Sequence, residues 1–190
     1  MDAVKAKVFS IEDFRGLPEV RPSLEFFGGR VIQKMSPKLP HSIIQTRLSS
    51  RLLVYAEPIG LGLPYVELRC TFSGNSHVFD LSFFVQNRLP DPTSPIDCDD
   101  IRTPPDLAVE ILSPGQTVGE LSRKLRSAIR RGVRLGWLID EARRNVHVFH
   151  PAKKPQVLRA GDVLSGGEVL PGFALAIDEL FGWVGGNRTG

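Results

Sequence analysis

The segment at residues 104–114, PPDLAVEILSP, constrains the fold more than any other part of the chain. Its nearly continuous aliphatic run, set between prolines, is typical of a buried strand. Glu110 interrupts this run. An ionised carboxylate in an apolar strand costs free energy unless it is paired, hydrogen-bonded or bound to a metal, so the segment predicts a compensating partner. The alternative is that Glu110 lies at the wet C-terminal end of the strand and pairs with an arginine.

Hydrophobic spacing and turn residues predict the other elements of the first half. Ser10 has the character of a helix N-cap, and the longest amphipathic helix is expected at residues 41–57. The expected strands occupy residues 30–35, 64–72 and 78–86. The loop that follows carries four acids that we expect to be solvated, namely Asp91, Asp97, Asp99 and Asp100.

The second half continues this alternation of helices and strands. Apolar residues at helical spacing predict a helix at residues 118–131. Strands are expected at residues 133–140 and 145–150, then shorter ones near 156–159 and 163–164, and a closing helix near 177–181. This order predicts an α/β or α+β fold in which helices cover the faces of a sheet.

Size and charge limit the classes to which the protein can belong. At 190 residues and 42% hydrophobic content, the chain is expected to form one domain over residues 1–190. The net charge of +3 permits a nucleic-acid partner without requiring one. Basic residues cluster locally and predict a basic face formed by Arg123, Lys124, Arg126, Arg130, Arg131 and Arg134.

The cellular location is inferred from the small number of cysteines and from the lack of long apolar segments in the sequence. Cys70 and Cys98 are too few and too irregularly placed for a disulfide framework or a thiolate zinc site, so both are expected to be reduced. No apolar run approaches the ~20 residues that cross a bilayer. The first residues are not followed by an apolar block of the signal type. We therefore expect a cytoplasmic protein with no membrane partner.

Two carboxylates on expected strands suggest a metal site. Asp80 and Glu110 would converge on one divalent cation if their strands were neighbours, and Mg²⁺ or Mn²⁺ would suit oxygen ligands. Lys124 follows on a helix that packs back on the second strand, where it could orient a nucleophile or stabilise the transition state. This combination is typical of metal-assisted phosphodiester hydrolysis.

Several motifs resemble those of the Uma2 family, a bacterial family long catalogued as a domain of unknown function and similar to PD-(D/E)XK restriction endonucleases. The segment around Glu110 is the most specific, and the resemblance runs from about residue 10 to residue 181. The matching positions are residues 24–25, 29–30, 35–37, 41, 79–83, 105–114, 124–125, 132–133, 137–140 and 170–173.

The resemblance implies a restriction-endonuclease-like fold, with a mixed central sheet flanked by helices and extra C-terminal strands. It implies that Asp80 and Glu110 hold the metal and that Glu25 contributes from the N-terminal region. It also implies that the lysine has moved from the strand, where Leu112 stands, to the helix position of Lys124.

The chain departs from the family pattern at three places. Gly28 stands where the family usually has an aspartate, Ala128 replaces a tyrosine, and Leu135 with Gly136 replaces a Glu-Tyr pair. These departures concern substrate positioning and packing, and none of them removes a predicted metal ligand.

The candidate residues also have simpler interpretations. Asp80 could pair with Arg69, and Lys124 could be a solvated charge on an arginine-rich helix. His41 and Arg123 are candidate substrate contacts, although a histidine can simply occupy the first turn of a helix and an arginine its solvated face.

The favoured function is a Mg²⁺- or Mn²⁺-dependent endonuclease acting on DNA, with Asp80, Glu110, Lys124 and Glu25 at the catalytic centre. A homodimer would suit cleavage of two strands. One alternative is a catalytically inactive module that keeps the nuclease fold for binding or self-association. Another is hydrolysis of a different phosphoester by the same metal site.

Overall fold

A six-stranded mixed sheet lies at the centre of the structure, a computed structural model in which residues 10–93 and 100–185 are described. Strands β7 (Leu107–Ile111) and β8 (Leu135–Asp140) are parallel because helix α3 (Val118–Ile129) carries the chain from one to the next. The other neighbouring pairs are antiparallel. In spatial order the strands are β10 (Gln156–Leu158), β9 (Asn145–Phe149), β8 (Leu135–Asp140), β7 (Leu107–Ile111), β6 (Leu81–Val85) and β3 (Gly62–Val66).

A second, four-stranded sheet is formed mainly by the N-terminal part of the chain. Its spatial order is β2 (Arg30–Gln33), β1 (Leu24–Phe27), β5 (Asn75–Val78) and β4 (Arg69–Phe72). Phe79 and Asp80 connect β5 of this sheet to β6 of the central sheet. Asp80 therefore lies at the junction of the two sheets.

Helices and a C-terminal hairpin cover the two faces of the central sheet. One face packs against α2 (Leu39–Ala56), against the hairpin of β11 (Val163–Gly166) and β12 (Leu170–Ala176), and against α4 (Ile177–Gly182). The opposite face packs against α3 and residues of the four-stranded sheet. A short helix, α1 (Ile11–Arg15), precedes both layers and is capped by Ser10, as predicted.

These elements confirm the predicted fold class, a mixed sheet flanked by helices with additional C-terminal strands. The long helix and the strand that carries Glu110 also form as expected. None of the helices in the described ranges is long and apolar enough to cross a membrane. Cys70 is a buried free thiol, and Cys98 lies outside the described residues.

The predicted strands at residues 64–72 and 78–86 are wrong in extent. The first range contains part of β3 and all of β4, and the second contains the last residue of β5 followed by β6. Glu67 adopts the left-handed conformation, with φ of 50°, and separates β3 from β4. The second break falls at Phe79 and Asp80, where the chain crosses between sheets. Asp80 therefore lies in a bend ahead of β6 and not within a strand. Strand β12 was not predicted.

Two expectations about surface charge are also wrong. Asp100 is buried and lies 3.5 Å from Arg15, whereas Asp91 is exposed as expected; Asp97 and Asp99 lie outside the described residues. The predicted basic face is wrong in part, because Arg123, Arg126 and Arg130 are exposed but Lys124 does not belong to that face. Lys124 is buried, Arg131 donates to Ser127, and Arg134 donates to Asp106.

Candidate active site

Glu110 is positioned by the alternation of side chains along β7. Leu107, Val109 and Ile111 enter the core on the α2 side of the sheet, whereas Ala108 packs on the α3 side. Glu110 shares the face of Ala108 because residues two apart in a strand point the same way. Glu110 is 2% exposed, so it lies beneath the layer formed by α3 and the four-stranded sheet. The alternative that Glu110 lies at a solvent-exposed strand end and pairs with an arginine is therefore wrong.

Lys124 supplies the partner of Glu110. Leu121, Leu125 and Ala128 form the buried side of α3, and helical spacing places Lys124 on that side with them. Its Nζ atom lies 2.6 Å from Oε1 of Glu110. This ion pair lacks regular hydrogen-bond geometry at the carboxylate oxygen. The alternative of a solvated surface lysine is wrong.

Glu25 reaches the same ammonium from β1. Its Oε1 atom accepts hydrogen bonds at 2.6 Å from Nζ of Lys124 and from the backbone N–H of Val78. Since both carboxylates contact one nitrogen, their Oε1 atoms lie no more than twice 2.6 Å apart. Lys124 therefore joins the four-stranded sheet to the central sheet.

Asp80 is fixed next to Glu110 by the backbone of β7. Its Oδ2 atom accepts a 2.7 Å hydrogen bond from the N–H of Ile111, the residue that follows Glu110. Its backbone oxygen accepts from Nε2 of Gln45 on α2 at 2.9 Å. Its Oδ1 atom lies 2.7 Å from Nζ of Lys34, at the end of β2. The predicted alternative partner, Arg69, contacts other groups instead.

His41 enters the site from the first turn of α2. Its Nδ1 atom lies 3.1 Å from Oγ of Ser113, and its Nε2 atom lies 3.6 Å from Oδ1 of Asp80 without a hydrogen bond. Burial lowers the pKa of His41, although the charge of Asp80 opposes this effect. The ring therefore presents a neutral nitrogen beside Asp80.

The cluster contains more carboxylates than ammonium groups. Burial, with the charges of Asp80 and Glu25 added, raises the pKa of Glu110 to about 8 against the opposing charge of Lys124. Burial also disfavours the charged forms of Lys124 and Glu25. For Lys124, attraction to Glu110 and Glu25 outweighs burial and raises its pKa. For Glu25, attraction to Lys124 and Lys34 outweighs burial and lowers its pKa. With Lys34 and Lys124 against three carboxylates, Glu110 is the acid that keeps a proton near neutral pH.

The residues present fit a hard divalent cation, though the carboxylates are now paired with lysines. Asp80 and Glu110 are adjacent oxygen donors, and the buried Nε2 atom of His41 and Oε1 atom of Glu110 lack hydrogen-bond partners. Within residues 10–93 and 100–185, no three His, Cys, Asp or Glu side chains form a ready metal cluster. The two ammonium groups form ion pairs with the three carboxylates instead.

The structure brings together five of the six residues selected from the sequence. Asp80, Glu110, Lys124, Glu25 and His41 all meet at this cluster. The sixth, Arg123, is exposed on α3, and in the described part of the chain it makes no contact with these carboxylates.

The sequence did not single out Lys34. For Lys124, the helical spacing that predicts a buried side chain was available and was not used. The spacing of Lys124 with Leu121, Leu125 and Ala128 indicates the buried side of α3. Nothing local marks Lys34, because its partner lies 46 residues further along the chain. Asp106 is fully buried outside this cluster and accepts from Arg88, Arg134 and the N–H of Val85.

A mixed sheet with buried acids at the ends of two neighbouring strands and a lysine beside them defines a nuclease-like fold. The chain belongs to the Uma2 family, whose model, described as "Putative restriction endonuclease", matches residues 11–178. It is similar to the crystal structure of a "putative nuclease belonging to DUF820" from Anabaena variabilis ATCC 29413. The two are 30% identical with a TM-score of 0.86, and the match covers 92% of this chain and 98% of that one. A comparison with curated proteins gives no match.

Proposed function

We propose that this protein is a Mg²⁺- or Mn²⁺-dependent endonuclease that hydrolyses phosphodiester bonds of DNA. The observation that carries the proposal is the buried pair of Asp80 and Glu110, held side by side by the hydrogen bond from Ile111 to Asp80. Membership of a family described as restriction endonucleases supports the reaction class. DNA as substrate follows from the same description.

The metal would be held by Asp80 and Glu110. Glu25, the third acid of the cluster, already accepts a hydrogen bond from the main-chain N–H of Val78 in the four-stranded sheet. When bound, a divalent cation activates water and neutralises charge on a phosphoryl oxygen. Glu25 fixes Lys124 by accepting from its ammonium group. Held in this way, Lys124 can donate to the attacking water or to a phosphate oxygen without reorganising.

His41 is suited to contact the substrate or to move a proton. Ser113 holds one ring nitrogen, while the other is buried, unpaired and directed at Asp80. A neutral imidazole nitrogen can accept a proton at neutral pH. The exposed Arg123 remains a candidate phosphate contact on the outer side of α3, where its effect would be independent of sequence and sensitive to salt.

Cleavage of a supercoiled plasmid tests the proposal. The wild-type protein should convert the plasmid to nicked or linear DNA with Mg²⁺ or Mn²⁺ but not with a chelator. Glu110→Ala and Asp80→Asn should abolish cleavage, whereas Glu168→Gln, which changes an exposed acid in a distant turn, should leave it intact. Cleavage that survives Glu110→Ala would contradict the assignment of the site.

A second candidate is an inactive module that retains the nuclease fold. The observation in its favour is that Lys34 and Lys124 already form ion pairs with the carboxylates that would hold a metal. Titration with Mn²⁺ separates the two candidates, because a nuclease must bind the ion at this cluster. Failure to bind at millimolar Mn²⁺ would favour the module.

A further inference from the structure

Lys34 is the one cation of the cluster that comes from the periphery of the fold. Its ammonium group lies 2.7 Å from Oδ1 of Asp80 and donates to the backbone oxygen of Val78 at 2.8 Å. The side chain is 11% exposed. Lys34 thus occupies the carboxylate oxygen of Asp80 that does not bond to Ile111, and a metal ion bound at Asp80 would need this oxygen.

The surroundings of Lys34 allow it to leave Asp80. It directly follows β2, an edge strand with mostly exposed residues, and the next residues, Met35 to Lys38, are exposed as well. The side chain lines an open groove of about 380 Å³, which also contains the exposed cation of Arg21 and a single acid, Glu67. Movement of Lys34 into this groove would not open the hydrophobic core.

A divalent cation and the ammonium of Lys34 compete for the same carboxylate. Two positive charges on one buried oxygen repel each other, so binding of the ion should release Lys34. The released ammonium then needs another anion, since an unpaired charge is costly near the protein interior. In a nuclease, the anion that arrives next to the metal is a phosphate of the substrate.

We propose that Lys34 is a second active-site lysine, which holds Asp80 while no divalent cation is bound and contacts a substrate phosphate in the adjacent groove once the cation takes Asp80. This inference rests on the proposed function, since it needs both the metal and the nucleic acid. Lys34 is a positioning residue for Asp80 in the first state. It differs from Lys124, which stays between Glu25 and Glu110.

Metal binding without turnover gives the first test. Calorimetric titration with Mn²⁺ should show affinity about tenfold tighter in Lys34→Met and Lys34→Gln than in the wild type, because the competing charge-assisted hydrogen bond is gone. Lys38→Met removes a nearby exposed lysine and should leave the affinity unchanged. Circular dichroism verifies that each variant is folded.

The second test measures the phosphate contact. Binding of a short phosphorothioate duplex, which resists hydrolysis, is followed by fluorescence anisotropy at saturating Mn²⁺ over a range of salt concentrations. Loss of one phosphate contact in Lys34→Met should lower the slope of log K against log salt by about one. An unchanged slope would contradict the contact.

The outcomes separate this inference from the proposed function. If the wild type binds Mn²⁺ and both Lys34 variants bind it equally well or more weakly, the competition is refuted while the nuclease assignment stands. If the wild type itself does not bind Mn²⁺, the proposed function fails and this inference fails with it.

Discussion

Glu110→Gln should change how the stability of the metal-free protein depends on pH. The carboxyl group is 2% exposed, and burial together with Asp80 and Glu25 raises its pKa from 4.5 to about 8. The folded state therefore binds a proton at Glu110 that the unfolded state has lost between these two values. The associated stabilisation is complete below pH 4.5 and disappears as the pH rises through 8. Glutamine keeps the shape of the protonated acid and removes this titration.

The magnitude follows from the size of the shift. One pKa unit corresponds to about 1.4 kcal/mol, so the wild type should lose roughly 4 kcal/mol between pH 4.5 and pH 9 relative to Glu110→Gln. Such a loss is a large fraction of the ~5–15 kcal/mol that stabilises an ordinary domain. Above pH 8 the variant should be the more stable protein.

Urea unfolding in a chelating buffer measures this effect. The free energy of unfolding is determined for both proteins at several values between pH 5 and pH 9, and their difference is plotted against pH. Groups far from Glu110 contribute equally to both proteins and cancel in the difference. Asp80, Glu25 and Lys124 interact with Glu110, so the difference reports the titration of this cluster. If the free energies of unfolding of the two proteins depend on pH in the same way, Glu110 is not a buried acid with a raised pKa.

Two further predictions concern the surroundings of Glu110. Lys124→Met should destabilise the protein by about 3–5 kcal/mol in urea unfolding at pH 8, because Glu25 and Glu110 lose their shared ammonium group. Arg123→Met, which changes the exposed neighbour, should cost less than about 0.5 kcal/mol; equal effects of the two would contradict the buried network. His77 is fully buried, and burial with the charge of Lys124 lowers its pKa to about 4. Its imidazole signals in NMR spectra should stay those of a neutral ring from pH 8 to pH 5, and titration near pH 6.5 would contradict this.

The sequence predicted the part of the site that depends on local patterns. Glu110 was found because a carboxylate within an aliphatic strand needs a partner, and the structure provides one in Lys124. The face on which Lys124 lies follows from helical spacing alone. In both cases, residues within a few positions carry the information.

The rest of the site depends on contacts between distant segments. The crossing of the chain between two sheets at Asp80 is not marked by glycine or proline, so the sequence suggested an unbroken strand. The pairs of Lys34 with Asp80 and of Glu25 with Lys124 join residues 46 and 99 positions apart. Only the arrangement of the two sheets brings these residues together, and hydrophobic periodicity does not contain that arrangement.

Calorimetric titration with Mn²⁺ at pH 7 tests the central claim most directly. We expect binding at one site per chain in the wild type, accompanied by proton release from Glu110, which is detected by repeating the titration in buffers with different ionisation enthalpies. Asp80→Asn and Glu110→Gln should each abolish this binding. Unchanged binding in both variants, or no binding by the wild type at millimolar Mn²⁺, would contradict a metal site at Asp80 and Glu110.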